Sequence, residues 1–371
     1  MKTICIDARM WGIAHTGIGR YVENLIEHLP QSSDHRIVLI VNPDHLLEPK
    51  LTGFEKVVAR FHPYSVLAQS EMFFLLWRIR PDLVHFTHFS IPVLWFGKFV
   101  VTIHDLIKSY STGLATTTHH PLLYGIKYLG YRLVMFMAIL RSSKVIVPSH
   151  YWRDIIINKY MVAPQKVIVT YEGVADHFLM AHPIKSHVEI SKPFIIYTGN
   201  LYPHKNVGTL IEAVRILNLN SHRPLNLVVV CARSVFEDRL PQSPHVKFLG
   251  RLSDHDLVGL YQHAAAFVFP SLIEGFGLPG LEAMAVGCPV IAAWASCLPE
   301  VYGNAALFFD PLNPTDLADK ISLVMSDNRL RRDLVIKGKR QVAKYSWAKM
   351  ALSTWQIYLR SLQPDSSARV D

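Results

Sequence analysis

Ala266-Phe267-Val268-Phe269-Pro270-Ser271-Leu272-Ile273-Glu274-Gly275-Phe276-Gly277-Leu278-Pro279-Gly280-Leu281-Glu282-Ala283-Met284-Ala285 is the stretch on which the reading of this chain turns. Its first four residues form a short apolar run of the kind that makes a strand buried on both faces. Pro279 fits the first turn of a helix, where a missing N–H costs nothing. Gly275 and Gly277, on either side of Phe276, let the backbone come close to a ligand. From Gly277 and Leu278 onward, free N–H groups point out of the helix mouth, a natural seat for a phosphate group. Glu282 falls about one turn inside the helix, where a carboxylate can accept from ribose hydroxyls. Glu274 falls on the loop, where it can hold sugar hydroxyls. A plain strand–turn–helix joint accounts for the glycines and the proline. It does not account for two glutamates in this long and strict order.

Outward from this segment, short β-branched runs alternate with helical patterns along the whole chain. Strands are expected at 3–7, 36–41, 82–86, 99–103, 144–147 and 166–169, and again at 194–197, 225–230, 246–249, 266–269, 289–292 and 306–309. Between them lie apolar positions at helical spacing, such as Leu210, Ile211, Val214 and Leu217. This alternation means βαβ units and parallel sheets. The expected fold class is α/β, with two doubly wound, Rossmann-like domains facing across a cleft and ligands at the carboxyl ends of the strands. The expected boundaries are 1–176 for the first domain, 177–192 for a linker rich in His, Ser, Pro and Lys, and 193–345 for the second. A helix over 346–362, with Trp347, Leu352, Trp355 and Leu359 as its apolar face, is expected to join the first domain.

Composition bounds the function. Half of the 371 residues are hydrophobic and 18% are charged, which excludes a disordered chain, and the formal net charge is +9. That balance suits nucleic acid, an anionic membrane surface or phosphorylated substrates. No basic–aromatic module of a nucleic-acid-binding kind is present, so no nucleic-acid partner is expected. Cys5, Cys231, Cys288 and Cys297 form no C-x-x-C pair and read as reduced thiols of a cytoplasmic protein. The amino terminus lacks the signature of a signal peptide. No unbroken apolar run approaches the roughly 18 residues of a membrane span; Leu133–Leu140 is the longest noted. The segment Leu122–Lys144 mixes Tyr124, Tyr128, Tyr131 and Phe136 with Lys127, Arg132, Arg141 and Lys144. It reads either as a core helix with a basic edge or as an interfacial helix on anionic lipid.

Three further constellations follow strands. Tyr197-Thr198-Gly199-Asn200-Leu201-Tyr202-Pro203-His204-Lys205-Asn206 puts Lys205 near a helix start, where it can neutralise a diphosphate. His104-Asp105 sits at the carboxyl end of the 99–103 strand. Gly17-Ile18-Gly19-Arg20-Tyr21 comes after the first strand and is expected to open a helix at Tyr21. A nicotinamide-dinucleotide site is a poor fit there, because Val22 stands where a third glycine is needed and Asn42, not an acid, ends the second strand. His85 and His88 make a poor metal pair at that spacing. Asp254-His255-Asp256 imitates a metal-binding D-x-D, but Ser253 and Asp256 read better as the cap of a helix.

The segment Glu274–Glu282 resembles the Glu-x7-Glu signature of glycosyltransferase family 4, the retaining enzymes of the GT-B fold. The similarity extends over Phe248–Ser253, Tyr261–Ala265 and Gly287–Ala292, is nearly continuous from Tyr197 to Asp310, and is scattered in the first half. The resemblance implies a nucleoside diphosphate sugar as co-substrate, held mainly by the second domain, an acceptor held by the first, and no metal or other cofactor. It assigns phosphate binding to Lys205 and the donor side to Gly199, Asn200, Gly275, Phe276, Gly277, Leu278 and Glu282. Leu252 is placed near the base. Where the family often has an arginine after the glycine, this chain has Asn200; His204 or a distant arginine is the candidate second cation. By the same resemblance Glu274 and His104 are the catalytic pair orienting the sugar, and Gly17 and Gly19 approach the donor phosphates. Gly17–Tyr21, with Asp7-Ala8-Arg9 before it, is similar to bacterial mannosyltransferases of polysaccharide and O-antigen assembly. The expectation is therefore mannose transfer from GDP-mannose to a hydroxyl of a glycan or lipid-linked acceptor, in the cytoplasm or on the cytoplasmic face of the inner membrane. Glucosyl, rhamnosyl or N-acetylglucosaminyl transfer, sugar-nucleotide epimerisation, and sugar-nucleotide binding without catalysis are the alternatives.

Overall fold

The structure, a computed structural model, describes residues 1–12, 16–30, 33–111, 113, 120–184, 186–219, 221–232 and 236–363. The chain forms two compact units. The first is Met1–Leu106, His119–Glu172 and the chain from Trp347; the second is Ile107–Thr118 with Gly173–Ser346.

Each unit is built on one all-parallel sheet. In the first, β1 (Lys2–Asp7), β2 (His35–Val41), β3 (Glu55–Val58), β4 (Leu83–Phe86), β5 (Phe99–Thr102), β6 (Lys144–Val147) and β7 (Val167–Val169) lie in the order β3-β2-β1-β4-β5-β6-β7. In the second, β8 (Phe194–Thr198), β9 (Asn226–Val230), β10 (Val246–Leu249), β11 (Phe267–Phe269), β12 (Val290–Ala293) and β13 (Ala306–Phe309) lie in the order β10-β9-β8-β11-β12-β13. Both are doubly wound, with the strand order reversing beside β1 and beside β8. The central strands β4, β5, β8, β11 and β12 are buried at every residue. That explains why they read as unbroken apolar runs. All twelve expected strands occur within one residue at each end. β3 escapes the sequence reading because it is an edge strand of four residues, two of them charged and none fully buried.

The helices are α1 (Thr16–Glu27), α2 (Val66–Ile79), α3 (Ile107–Tyr110), α4 (Pro121–Arg141), α5 (His150–Tyr160), α6 (Asp176–Leu179), α7 (Val207–Asn218), α8 (Asp254–His263), α9 (Leu278–Ala285), α10 (Leu298–Tyr302), α11 (Pro314–Ser326), α12 (Asn328–Val342) and α13 (Trp347–Leu362). Four expectations need correction. First, α1 begins at Thr16 and not at Tyr21, so Gly17 and Gly19 lie in a helical turn rather than a loop. Second, the 177–192 stretch is part of the second unit: Phe178 is buried beside Tyr261, and Gln262 bonds His182 and Ile184. These contacts are made by polar and isolated apolar groups, which give no periodic signal. Third, α13 buries Trp347, Met350, Ala351, Trp355 and Tyr358, whereas Leu352 is half exposed on its outer side. Fourth, Leu123–Arg141 is one helix long and apolar enough to cross a membrane by length and composition, with a mean hydropathy of 1.3 and 17% of it buried. Lys127 and Arg132 interrupt the apolar run in the sequence without interrupting the helix.

A buried polar chain ties α13 into the first unit. The Tyr358 hydroxyl and His85 Nδ1 share a hydrogen bond of 2.5 Å, His85 Nε2 and the Thr102 hydroxyl one of 2.8 Å, and Thr102 and Tyr21 one of 2.9 Å. Burial above all, with His104 adding to it, holds His85 down to about 3 from 6.5. The folded protein therefore keeps His85 neutral, while in the unfolded chain it takes a proton near 6.5. As the pH falls through 6.5 the unfolded state gains this proton and the folded state does not, so stability falls. We expect this histidine alone to cost about 2 kcal/mol between pH 7 and pH 5. Urea unfolding at the two pH values should show that the loss shrinks by this amount in His85→Gln, whatever the variant's own stability.

Candidate active site

Two groups of side chains gather at the carboxyl ends of the two sheets. In the second unit the chain leaves β8 through Gly199, whose φ of +149° and whose close approach to the Tyr197 hydroxyl leave no room for a side chain. Asn200 is exposed, and its carbonyl accepts from Tyr197 at 2.6 Å. A single 3-10 turn over Pro203–Lys205 then precedes α7. Asn206, in the left-handed region at φ +57°, stops that turn. Its side-chain amide donates to the carbonyls of Pro270 and Pro311 at 3.2 and 2.8 Å. Asn206 thereby clamps the lysine turn to the loop after β11. The Leu272 N–H donates to the His204 carbonyl at 2.8 Å and makes a second tie.

The result is an ion pair at the β8/β11 switch point. Lys205 Nζ donates to both carboxylate oxygens of Glu274 at 2.7 Å, with the two side chains 13% and 9% exposed. Sequence reading named both residues but not their contact, which spans 69 positions. Around Glu274 stand Tyr197, Cys297 and Tyr302, all raised well above their usual values by burial first and by the Glu274 charge second. The carboxylate thus sits among neutral O–H and S–H groups with one lysine across from it. His204, stacked on Tyr202, is held down to about 3 by burial and by the Lys205 charge. It is therefore neutral near pH 7.

The loop itself is held from below. Ser296 Oγ accepts from the Glu274 N–H at 3.1 Å, the Cys297 thiol donates to the carbonyls of Glu274 and Phe276, and the Tyr302 hydroxyl donates to the Gly277 carbonyl at 2.6 Å. None of these three is legible beforehand, because they come after β12 and share no motif with the loop. They also revise one glycine. Gly277 caps α9 at φ +98°, and a Cβ there would lie 2.7 Å from the Tyr302 hydroxyl. Gly280 meets Tyr302 more closely still. Both glycines are needed for packing against Tyr302, independently of any ligand. Phe276, Leu278 and Glu282 are buried, Gly275 and Leu252 half-buried. At Ser253 the cap reading holds: its hydroxyl accepts from the Asp256 N–H at 3.1 Å and bonds the Asp256 carboxylate at 2.8 Å.

In the first unit, β1 ends in Asp7, and two residues on, the buried Arg9 donates to both Asp7 oxygens at 2.8 and 2.7 Å. His104, at the end of β5, bonds the Thr87 carbonyl through Nε2 at 3.0 Å and faces Glu172 through Nδ1 at 3.6 Å. Glu172 is itself buried and lies just after β7, a position the sequence reading passes over. Gly19 packs so closely on the Gly12 carbonyl that no side chain fits, whereas beside Gly17 the space is open. Gly19 is accounted for by packing, Gly17 is not.

Matches to known proteins agree with this fold. A model described as Glycosyltransferase Family 4 matches residues 15–178, and one described as Glycosyl transferases group 1 matches residues 183–341. The chain is a glycosyltransferase-family chain with a Family 4 domain followed by a group 1 domain. It is 29% identical to O-antigen chain mannosyltransferase B of Escherichia coli over 59% of this chain and 61% of that one. It is also 29% identical to the O-antigen chain mannosyltransferase RfbU of Salmonella typhimurium, over 72% and 70%. The chain spans 61%, 40% and 38% of the lengths of the first three curated relatives it matches. Among solved structures, Anabaena HepE in complex with UDP and glucose matches with a TM-score of 0.71 at 17% identity, over 97% of this chain and 99% of that one. The two-domain α/β fold is thus the GT-B fold of these neighbours.

The ion pair makes a direct prediction. Lys205→Met leaves the Glu274 carboxylate buried without its cation and should cost about 3 kcal/mol in chemical unfolding. Lys205→Met with Glu274→Gln should recover most of it. In Gly277→Ala, strain at positive φ and the clash with Tyr302 should cost about 2 kcal/mol.

Proposed function

We propose that the chain is a retaining mannosyltransferase that moves mannose from GDP-mannose to a hydroxyl of a glycan or lipid-linked acceptor in polysaccharide biosynthesis. The observation that carries this reading is the Lys205–Glu274 pair at the strand-order reversal beside α9. A lysine held there by a sugar-directed carboxylate is placed to take over a leaving diphosphate. The relatives named as O-antigen mannosyltransferases support the sugar and the setting. The HepE complex with UDP and glucose supports the nucleoside diphosphate class.

In the proposed reaction the bond between the anomeric carbon and the diphosphate oxygen breaks, and its electron pair leaves with the diphosphate. Lys205 and the N–H of Leu278 at the mouth of α9 stabilise that charge. The acceptor oxygen bonds the anomeric carbon from the same face, and its proton passes to the departing diphosphate. Both Glu274 oxygens are engaged by Lys205 Nζ. This favours Glu274 as a group that orients sugar hydroxyls over one that attacks the anomeric carbon. Glu282 is assigned the ribose, Leu252 the base edge, and Gly199, Asn200, Gly275 and Phe276 the donor surface. No divalent cation is required, because the cationic role falls to Lys205.

The test is thermal stability against GDP-mannose, UDP-glucose and UDP-N-acetylglucosamine, then turnover. GDP-mannose at about 100 times its dissociation constant should add about 2.7 kcal/mol, and Glu282→Ala should abolish the effect. Lys205→Ala should lower kcat by roughly 100- to 1,000-fold. Nucleotide should be released only with acceptor present, and EDTA should leave the rate unchanged. A shift with UDP-glucose alone would overturn the mannose assignment. Donor turnover without acceptor would point to epimerisation, and binding without nucleotide release would remove catalysis.

A further inference from the structure

The stretch of chain between α6 and β8 lies along one face of α8, within the second unit. Gln262 Nε2 donates to the His182 carbonyl at 3.0 Å, and Gln262 Oε1 accepts from the Ile184 N–H at 2.9 Å. About one turn back, Gly259 receives the backbone of Ser186 so closely that a Cβ on it would lie 2.7 Å from the Ser186 nitrogen. About one turn further back, Asp256 Oδ1 accepts from the His187 N–H at 2.9 Å. Positions 256, 259 and 262 share one helix face, so these contacts fix where the His187 side chain leaves the backbone. Its ring stacks on that of His255, with centroids 5.2 Å apart and planes 25° from parallel. The cap of α8 uses Ser253 and Asp256 and makes no use of either imidazole. Asp254, the other carboxylate of the D-x-D, faces His177 at 3.3 Å.

Asp256 is held charged and in place. The His187 N–H on Oδ1 first, and the Ser253 hydroxyl on Oδ2 at 2.8 Å second, hold its carboxyl down to about 2. Against the same Oδ1 stand His187 Nδ1 at 3.0 Å and His255 Nδ1 at 3.9 Å. One ligand atom from each of the three residues lies within 4.8 Å of the other two. Ligands set tetrahedrally around zinc, with bonds of about 2.0–2.1 Å, stand about 3.3 Å apart. The two distances to Asp256 Oδ1 bracket that value, so small side-chain rotations close the site. Two imidazoles and a carboxylate are the donor set of a borderline divalent cation such as Zn²⁺, whereas Mg²⁺ and Ca²⁺ take oxygen ligands. His187 and His255 are 81% and 50% exposed, which opens the site to an ion from solvent and leaves room for water as a further ligand.

We propose that His187, His255 and Asp256 form a Zn²⁺ site that clips the stretch before β8 to α8. The ion is structural: none of its ligands is a candidate donor residue, and the transfer step runs without it. The test uses the full chain, stripped of metal with EDTA and dialysed. Zn²⁺ is titrated in against a chromogenic chelator, and amide hydrogen exchange over residues 182–190 is followed by mass spectrometry. One equivalent of Zn²⁺ should bind at a site that His187→Gln and His255→Gln each weaken at least about ten-fold. His222→Gln, at an exposed histidine elsewhere in the unit, should leave it unchanged. At about 100 times its dissociation constant, Zn²⁺ should slow exchange through local opening up to about 100-fold. His255→Gln should abolish that slowing, although residue 255 is on the helix and the amides are on the facing stretch. Asp256 is left intact because its loss would also remove the cap. Both histidines are exposed, melting midpoints without metal serve as the fold control, and either variant decides alone if the other misfolds. The proposal is overturned by zinc binding that both variants retain, by slowed exchange that survives His255→Gln, or by Mg²⁺ acting as well as Zn²⁺.

Discussion

Burial of both faces of two parallel sheets is the constraint on which the rest of the molecule depends. A strand covered by helices on either side has no position along its length where a charge can stand. In β8, β11 and β12 every side chain is buried, and charged groups begin only where the strands end. Lys205 and Glu274 lie beyond the ends of β8 and β11, and His104 beyond the end of β5. Doubly winding a sheet then parts the two loops beside its first strand, so the loop after β8 and the loop after β11 share one crevice. The Lys205–Glu274 pair is a consequence of strand order before it is a feature of either loop.

Strand order brings the loops near, and hydrogen bonds set the last ångström. Asn206 is fitted to this by two properties at once. It tolerates φ +57°, which ends the lysine turn, and its amide reaches two carbonyls on separate loops. On the opposite side, Ser296, Cys297 and Tyr302 fix the backbone of 274–277 from the segment after β12. A loop so held needs little reorganisation when charge develops beside it, which is the condition for electrostatic stabilisation of a leaving group.

The fold was legible in the sequence because its signal is local. Apolar runs of four to six residues separated by helical spacing define parallel α/β units, and all twelve expected strands occur. The elements that escaped have a local cause in each case. β3 is short, charged and at an edge. The 177–192 stretch packs through Phe178 and scattered polar bonds, so its contacts leave no period. At the site, Glu274, Lys205 and Glu282 stood out because motifs carry them. Glu172, Asn206, Ser296 and Tyr302 did not, because each acts through contact with residues distant in the chain. Gly19, Gly277 and Gly280 show the opposite limit. A glycine beside a binding motif reads as room for a ligand, yet here the backbone of Gly12 and the ring of Tyr302 fill that room.

The chain leaves the first unit at Glu172 and regains it only at Trp347. In between lies nearly the whole second unit. His85, buried and neutral in the middle of the first unit, has one of its two hydrogen bonds with Tyr358, 273 residues later. Until α13 arrives, His85 Nδ1 and the groove that Trp347, Met350, Ala351 and Trp355 fill have no protein partner on that side. A buried imidazole without its partner and an apolar groove open to water are both costly. The first sheet is therefore synthesised early but completed last, and its stability is inseparable from the last turns of the chain. Truncation before Trp347 removes little of the sequence and none of the candidate site residues, yet it takes away the helix that closes the first unit.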